Sequence, residues 1–379
     1  MSSPGRPGRP APRATAAETP STPGTVIRGL SLFAALIAGV IFVLLRDVVL
    51  PARFSYDADG IQAIGQGKLH VVDPAYQSVA AVYRTLGLVD DATAAALLGY
   101  LAAFAVLAVA GRRLLRPDAP LSATILFFGS VMLSAVYLGT YSKDVFVLPI
   151  VLLAVLPGGR LRWPILTGLA VIAYALTFRT YWFVVLAMWL ALQVVLSRRP
   201  RVIWVLVTML LASVLLAAAI GVAVGQSADS FRATTNEGRL DSADAASAIV
   251  PFIGGGTLLT GMINMPLTLV SLLAPVPLVL KGGVYFLALA ALLTAFWTRT
   301  GIGVHRSLRA GPDPAERSRI ALLLAFVLVQ AVFEPDYGSA LRHITPLLPI
   351  AVSLWSIAAP STAKTRPFRK RPATVRVVT

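Results

Sequence analysis

Apolar runs of about 18 to 25 residues recur along this chain, each long enough to cross a hydrocarbon layer about 30 Å thick as a helix. Such runs admit few folds. In lipid every backbone N–H and C=O must be satisfied within the segment, which a helix achieves and an open sheet does not. The first run extends from Arg28 to about Leu45; others follow near 92–111, 121–140, 145–159, 163–178, 181–197, 202–225, 282–298, 320–334 and 344–360. Composition agrees, because a chain with 57% hydrophobic and 13% charged residues cannot clothe a water-soluble surface. The expected fold is all-α: a polytopic integral membrane protein with about ten transmembrane helices.

Residues 1–27 are rich in Pro, Gly, Ser and Thr, carry Arg6, Arg9 and Arg13, and are expected to form a disordered basic tail. A second basic tail spans 361–379, and the transmembrane domain between them, 28–360, has long loops at 51–90 and 226–281. The first apolar run exceeds a signal-peptide core and is followed by no convincing small-residue cleavage pattern, so it is expected to remain as the first span. Residues 254–280 contain Gly254-Gly255-Gly256, Pro266, Pro275 and Pro277. They are read as interfacial or re-entrant helices, since an eleventh crossing would move the basic stretch Arg299–Arg319 to the opposite side.

Threading the runs through a bilayer with the amino terminus inside gathers 23 of the 33 Lys and Arg, but only 4 of the 17 acids, on one side. That asymmetry is what the positive-inside rule requires of the cytoplasmic face, and it places both termini in the cytoplasm. The net charge of +16 therefore reports topology and attraction to anionic lipid rather than nucleic-acid binding. With no cysteine the chain has neither disulfides nor a thiolate nucleophile or metal site.

The outer side then carries the chemistry-bearing clusters. They are Tyr56-Asp57-Ala58-Asp59-Gly60 in the first loop, the turn Ser142-Lys143-Asp144, and Arg179-Thr180-Tyr181-Trp182 at a helix end. The long loop adds Arg232, Asn236, Glu237, Arg239, Asp241 and Asp244, and the last cluster runs from Glu334-Pro335-Asp336-Tyr337-Gly338 to Arg342-His343. Runs from Arg319 to Glu334 and from Asp144 to Arg160 give helices of only about 22 to 24 Å, so Glu334 and Asp144 are expected to be recessed. Recessed carboxylates must pair or line a polar cavity. Pairing of Asp144 with Lys143 or Arg179, and of Glu334 with Arg342, would serve purely to hold helices together. In the last cluster Pro335 and Gly338 interrupt the helix, and Pro346 and Pro349 lie early in the next, so a kinked segment presents a carboxylate, an arginine and a histidine together.

Asp57-Ala58-Asp59 has the form by which soluble glycosyltransferases hold a metal and a nucleotide sugar, but those donors are cytoplasmic. A solvated turn or a base acting on a lipid-linked sugar fits the outer face better, and no metal or other cofactor is expected. His70 has no partner at metal-ligand spacing and His305 lies in a basic loop. Tyr141, Tyr181, Trp182 and Tyr337 read as interfacial belt anchors, or as platforms for sugar stacking.

Carboxylates and guanidinium groups converging on one face suit glycosyl transfer from a lipid-linked donor, in which a carboxylate takes the hydroxyl proton and cations hold the departing phosphate. The Asp-containing first loop, Ser142-Lys143-Asp144, Arg179 and the block from Glu334-Pro335-Asp336 to Arg342-His343-Ile344-Thr345-Pro346 resemble the bacterial surface-polysaccharide repeat-unit polymerases (Wzy-type) and their exopolysaccharide relatives. The resemblance implies an inner-membrane enzyme of capsule or exopolysaccharide synthesis. It further implies that Arg179, Arg239 and Arg342 bind a polyprenyl diphosphate, with Lys143, His343, Asp336 and Tyr337 beside them. Glu334, Asp144 or Asp57, with Asp59, would supply the base. Partners would be the polyprenyl-phosphate- or diphosphate-linked saccharide, the bilayer and other polysaccharide-assembly proteins. Two alternatives stand: a polyprenyl-phosphate-sugar-dependent transferase of single sugars, with its Asp in the loop after the first span, and a non-catalytic transporter.

Overall fold

The computed structural model describes residues 23–70, 74–114, 119–156, 162–198, 200–237 and 247–356, and among these it is mostly helical, with turns and extended links between the helices and, in place of any strand, one isolated bridge between Ala248 and Asp336. The helices are α1 (Pro23–Val49), α2 (Tyr56–Gly65), α3 (Pro74–Thr85), α4 (Ala92–Gly111), α5 (Leu121–Tyr137), α6 (Leu148–Val155), α7 (Arg162–Thr177) and α8 (Trp182–Ser197). They continue as α9 (Val202–Val224), α10 (Ala228–Glu237), α11 (Leu258–Leu273), α12 (Val276–Lys281), α13 (Val284–Ala310), α14 (Pro314–Phe333), α15 (Tyr337–Ile344) and α16 (Leu348–Trp355). Four contain stretches long and apolar enough to cross a membrane: Gly29–Val49, Ala92–Gly111, Val202–Val224 and Val284–Ala310. Their outward faces are apolar, with Phe33, Ile37, Ile41, Leu211, Leu215 and Val222 all exposed. A continuous surface of that kind belongs against lipid rather than water.

At the centre is α14, whose residues from Ile320 to Val332 are almost all buried. It packs along α8 and α11, and the indole N–H of Trp189 donates to the carbonyl of Ser318 over 2.9 Å. Small residues let the other helices close in. At Gly303 of α13 a Cβ would come within 2.7 Å of the Leu354 carbonyl oxygen, so only glycine permits that approach to α16.

Several sequence expectations need correction. Helix α1 starts at Pro23, inside the expected tail, where proline suits a first helical turn. The stretch Arg299–Arg319 is not a loop: α13 continues to Ala310 and only Gly311–Asp313 separates it from α14. Its arginines tolerate helix because they reach backbone carbonyls and solvent, as when Arg299 donates to the Trp355 carbonyl over 2.6 Å. Glu334 is buried for a different reason from that expected. With 20 residues α14 is about 30 Å long, not truncated, and Glu334 is covered because α14 is the central helix. The loops 51–90 and 226–281 are themselves helical in large part over their described residues; within 254–280, expected to be helical, α11 and α12 are separated at Ala274-Pro275.

Candidate functional site

Pro335 ends α14. The residue before a proline is pushed out of the helical region, and Glu334 accordingly has ψ 122°, which turns the chain that follows away from the helix axis. Asp336 then caps α15, accepting from the Ser339 N–H over 2.8 Å and from the Ser247 hydroxyl over 3.2 Å. The Ile249 N–H donates to the Pro335 carbonyl over 2.8 Å and fixes the kink from the other side. This short helix presents Arg342 and His343 beside Glu334.

The turn between α5 and α6 is built the same way. Ser142 accepts from the Asp144 N–H over 3.1 Å, starting the 3-10 turn Lys143–Val147 and burying Lys143 and Asp144. Its backbone N–H donates to the Tyr83 hydroxyl of α3 over 3.2 Å. Helices α2 and α3 pack on a small core of their own, formed by Ile61, Ile64, Val79, Tyr83 and Tyr141.

These segments converge. Arg342 Nη1 donates to Asp57 Oδ2 over 2.6 Å, and its Nε lies 3.8 Å from Asp144 Oδ2. Lys143 Nζ lies 3.5 Å from the same Asp57 oxygen and donates to the Tyr76 hydroxyl over 3.0 Å. The Tyr76 hydroxyl in turn donates to Asp57 Oδ1 over 3.0 Å. Arg179, in the turn between α7 and α8, adds its charge to the field on Lys143 and Tyr76. On the far side of Arg342, His343 Nδ1 and Glu334 Oε1 are 2.6 Å apart, and His343 Nε2 is 3.4 Å from Arg342 Nη2. A guanidinium only donates, so Nε2 is the acceptor and Nδ1–H donates to Glu334. Gln330, one turn earlier on α14, donates to the same Glu334 oxygen over 3.3 Å. The second oxygen, Oε2, is buried and has no hydrogen-bond partner.

Electrostatics follow from this packing. Burial opposes ionisation of Asp57, but the charges of Arg342 and Lys143 and the Tyr76 hydrogen bond outweigh it and hold the carboxyl well below the usual range. Burial, then the neighbouring Asp57 charge, pushes the Tyr76 phenol up to about 12. Burial, reinforced by Arg179, lowers the Lys143 ammonium to about 8. Asp57, Lys143, Asp144 and Arg342 line a cavity of about 20 Å³, space for one or two waters.

Not every expected residue joins. Asp59 is exposed and its charge acts on Arg46 instead, because residues two apart on a helix point to different sides. Asp336 is a helix cap, and Tyr337 is buried with its hydroxyl towards Ser271 and Arg232. Arg239, Asp241 and Asp244 lie outside the described residues. Asp144 meets Arg342 rather than Lys143 or Arg179 as its ion-pair partner, and Glu334 meets His343 rather than Arg342, since the kink swings His343 towards the end of α14. Tyr141, Trp182 and Tyr337 are core residues rather than a belt; Tyr141 packs edge-on against Tyr83 at 5.0 Å. Among the described residues no three His, Cys, Asp or Glu gather at metal-binding spacing.

Two participants escaped the sequence. Tyr76 left no signal in the first loop. Gln330 left one, as a lone amide in an apolar run four residues before Glu334. Arg232 belongs to a separate buried network: it pairs with Asp229 and donates to Thr268 over 2.7 Å, while Asn264 donates to the other Asp229 oxygen over 2.7 Å. That network ties α10 to α11.

No family model, curated protein or solved structure matches this chain.

Proposed function

We propose that the chain is a multi-pass protein of the bacterial cytoplasmic membrane, with both termini inside, that transfers glycosyl groups between polyprenyl-diphosphate-linked oligosaccharides at the outer face. The observation that carries this reading is the meeting of Glu334, Arg342, His343, Asp57, Lys143 and Asp144 from three distant segments. In the proposed reaction an acceptor sugar hydroxyl attacks the anomeric carbon of the donor, and the bond from that carbon to the diphosphate breaks. Glu334 Oε2, buried and unpartnered, takes the hydroxyl proton. His343 and Gln330 fix the carboxylate through its other oxygen. Arg342 and Lys143, with Arg179 behind them, take up the negative charge of the departing polyprenyl diphosphate. Asp57 occupies those cations in the closed site and must yield to the substrate.

The position of Asp57 also favours a second reading, a transferase of single sugars from a polyprenyl phosphate, because this aspartate comes from the loop after the first long helix. One experiment separates the two. The purified chain in a bilayer is given a polyprenyl-diphosphate-linked repeat unit and its products are sized. A ladder supports polymerisation, a single added sugar supports the second reading, and no product contradicts both.

A further inference from the structure

The kink that carries Glu334 takes a donor away from a buried backbone acceptor. In a continuous helix the carbonyl of Ala331 would accept from the amide of residue 335, four positions on, but that residue is proline and has no N–H. The last bond of the helical ladder is therefore the one before it, from the Glu334 N–H to the Gln330 carbonyl over 2.9 Å. Ala331 is fully buried, so its carbonyl must be met from within the protein.

Arg232 meets it. From α10, 99 positions earlier in the chain, its Nη1 donates to the Ala331 carbonyl over 3.2 Å. The guanidinium is itself held on its other sides: Nη1 also donates to the Thr268 hydroxyl over 2.7 Å, Nη2 pairs with Asp229, and Asn264 fixes Asp229. Arg232 is only 1% exposed, and a charge so deeply buried is a costly way to join α10 to α11 when apolar packing would serve. A second contact of this kind on α14 shows the difference. Trp189 donates to the Ser318 carbonyl over 2.9 Å, but there Leu322 follows four residues on and carries the amide of the ordinary helical bond.

We infer that Arg232 is a positioning residue for the Glu334 carboxylate, its guanidinium standing in for the amide that Pro335 lacks and so holding the last turn of α14 closed. The inference rests on the reading of Glu334 as the base. Ala331 adjoins Gln330, whose side-chain amide donates to Glu334 Oε1 over 3.3 Å and to the Ala340 carbonyl over 3.2 Å. A last turn that opened at Ala331 would disturb both contacts. Arg232 has no part in the cluster of Asp57, Lys143 and Arg342, so its loss acts on rate and leaves anion affinity alone.

The test removes the buried pair together, by Asp229→Asn with Arg232→Met, so that neither charge is left without its partner. Trp189→Phe is the control, because it deletes the contact at the other end of α14 where the helical amide remains. In the double variant the maximal rate of glycosyl transfer is expected to fall about ten- to a hundredfold, as small displacements of a reacting group do, while pyrophosphate affinity stays at the wild-type value. Amide hydrogen exchange is expected to quicken at residues 332–334 and in α10 and α11, but not in α4 or α5. Trp189→Phe is expected to change neither the rate nor the exchange at 332–334.

A wild-type rate in the folded double variant would overturn the positioning role. So would exchange that quickens as much in α4 and α5, or an equal loss of rate in Trp189→Phe, since either would mean general loosening of the fold. The exchange measurement needs no substrate, which keeps the two readings apart. A wild-type chain that transfers no sugar sinks the reading of Glu334 as the base; unchanged exchange at 332–334 in the double variant sinks the role of Arg232, whatever the wild type transfers.

Discussion

Arg342 Nη1 and Asp57 Oδ2 are 2.6 Å apart although the residues are 285 positions apart in the chain. This contact ties the helical pair α2 and α3 to the kink after α14. It also means that the cations proposed to hold a diphosphate are already neutralised by a carboxylate in the closed site.

If Asp57 competes with the substrate for Arg342 and Lys143, its neutral isostere will release them. Asp57→Asn is expected to raise pyrophosphate affinity several-fold, measured by equilibrium titration of purified protein. Weaker binding in this variant would instead make Asp57 part of the binding surface.

Lys143 sets a pH dependence. Its ammonium is lowered from 10.5 to about 8, so the folded chain loses this charge well before the unfolded chain does. Between those values the unfolded state binds more protons, and stability rises with pH. Anion affinity moves the other way, falling as pH rises through about 8. Lys143→Arg, which keeps its charge, is expected to flatten the affinity profile between pH 6 and 9.5. An unaltered profile would remove Lys143 from the anion site.

The pairing of Arg232 with Asp229 is a matter of stability and not of anion binding. Removing one partner of a buried pair leaves an uncompensated charge, which typically costs about 3 to 5 kcal/mol. Asp229→Ala is therefore expected to lower the thermal midpoint in detergent while the folded fraction keeps wild-type pyrophosphate affinity. Loss of affinity at full stability would contradict this.

Single-cysteine labelling tests the proposed orientation. Position 59, exposed on α2, should react with an impermeant reagent from outside intact cells, and position 305, exposed near the end of α13, only after the membrane is opened. The reverse pattern would invert the threading and move the site to the cytoplasm.

The fold was legible because period and length dominate in an apolar chain: over its described residues every expected span overlaps a helix, with ends that differ in several, although only four of the described helices are long and apolar enough to cross a membrane. Where helix continued through charge, as from Arg299 to Ala310, composition misled, since arginines satisfied by carbonyls do not break a helix. Pro335 revealed the kink that brings Glu334 and His343 together, whereas Gly338 lies inside α15 and does not interrupt it. Long-range pairing was not readable. Nothing local distinguishes Asp57, which reaches Arg342, from Asp59, which does not, and Tyr76 enters only through the packing of α3 on α2.

The most direct test of the catalytic site is chain extension by Glu334→Gln and Arg342→Ala, assayed on polyprenyl-diphosphate-linked repeat units in a reconstituted bilayer. Glu334→Gln keeps the shape but cannot take a proton, and loss of a general base lowers rates by about 10² to 10⁴. Both variants are expected to insert and fold normally yet yield no ladder. Wild-type product lengths from either variant would contradict the assignment.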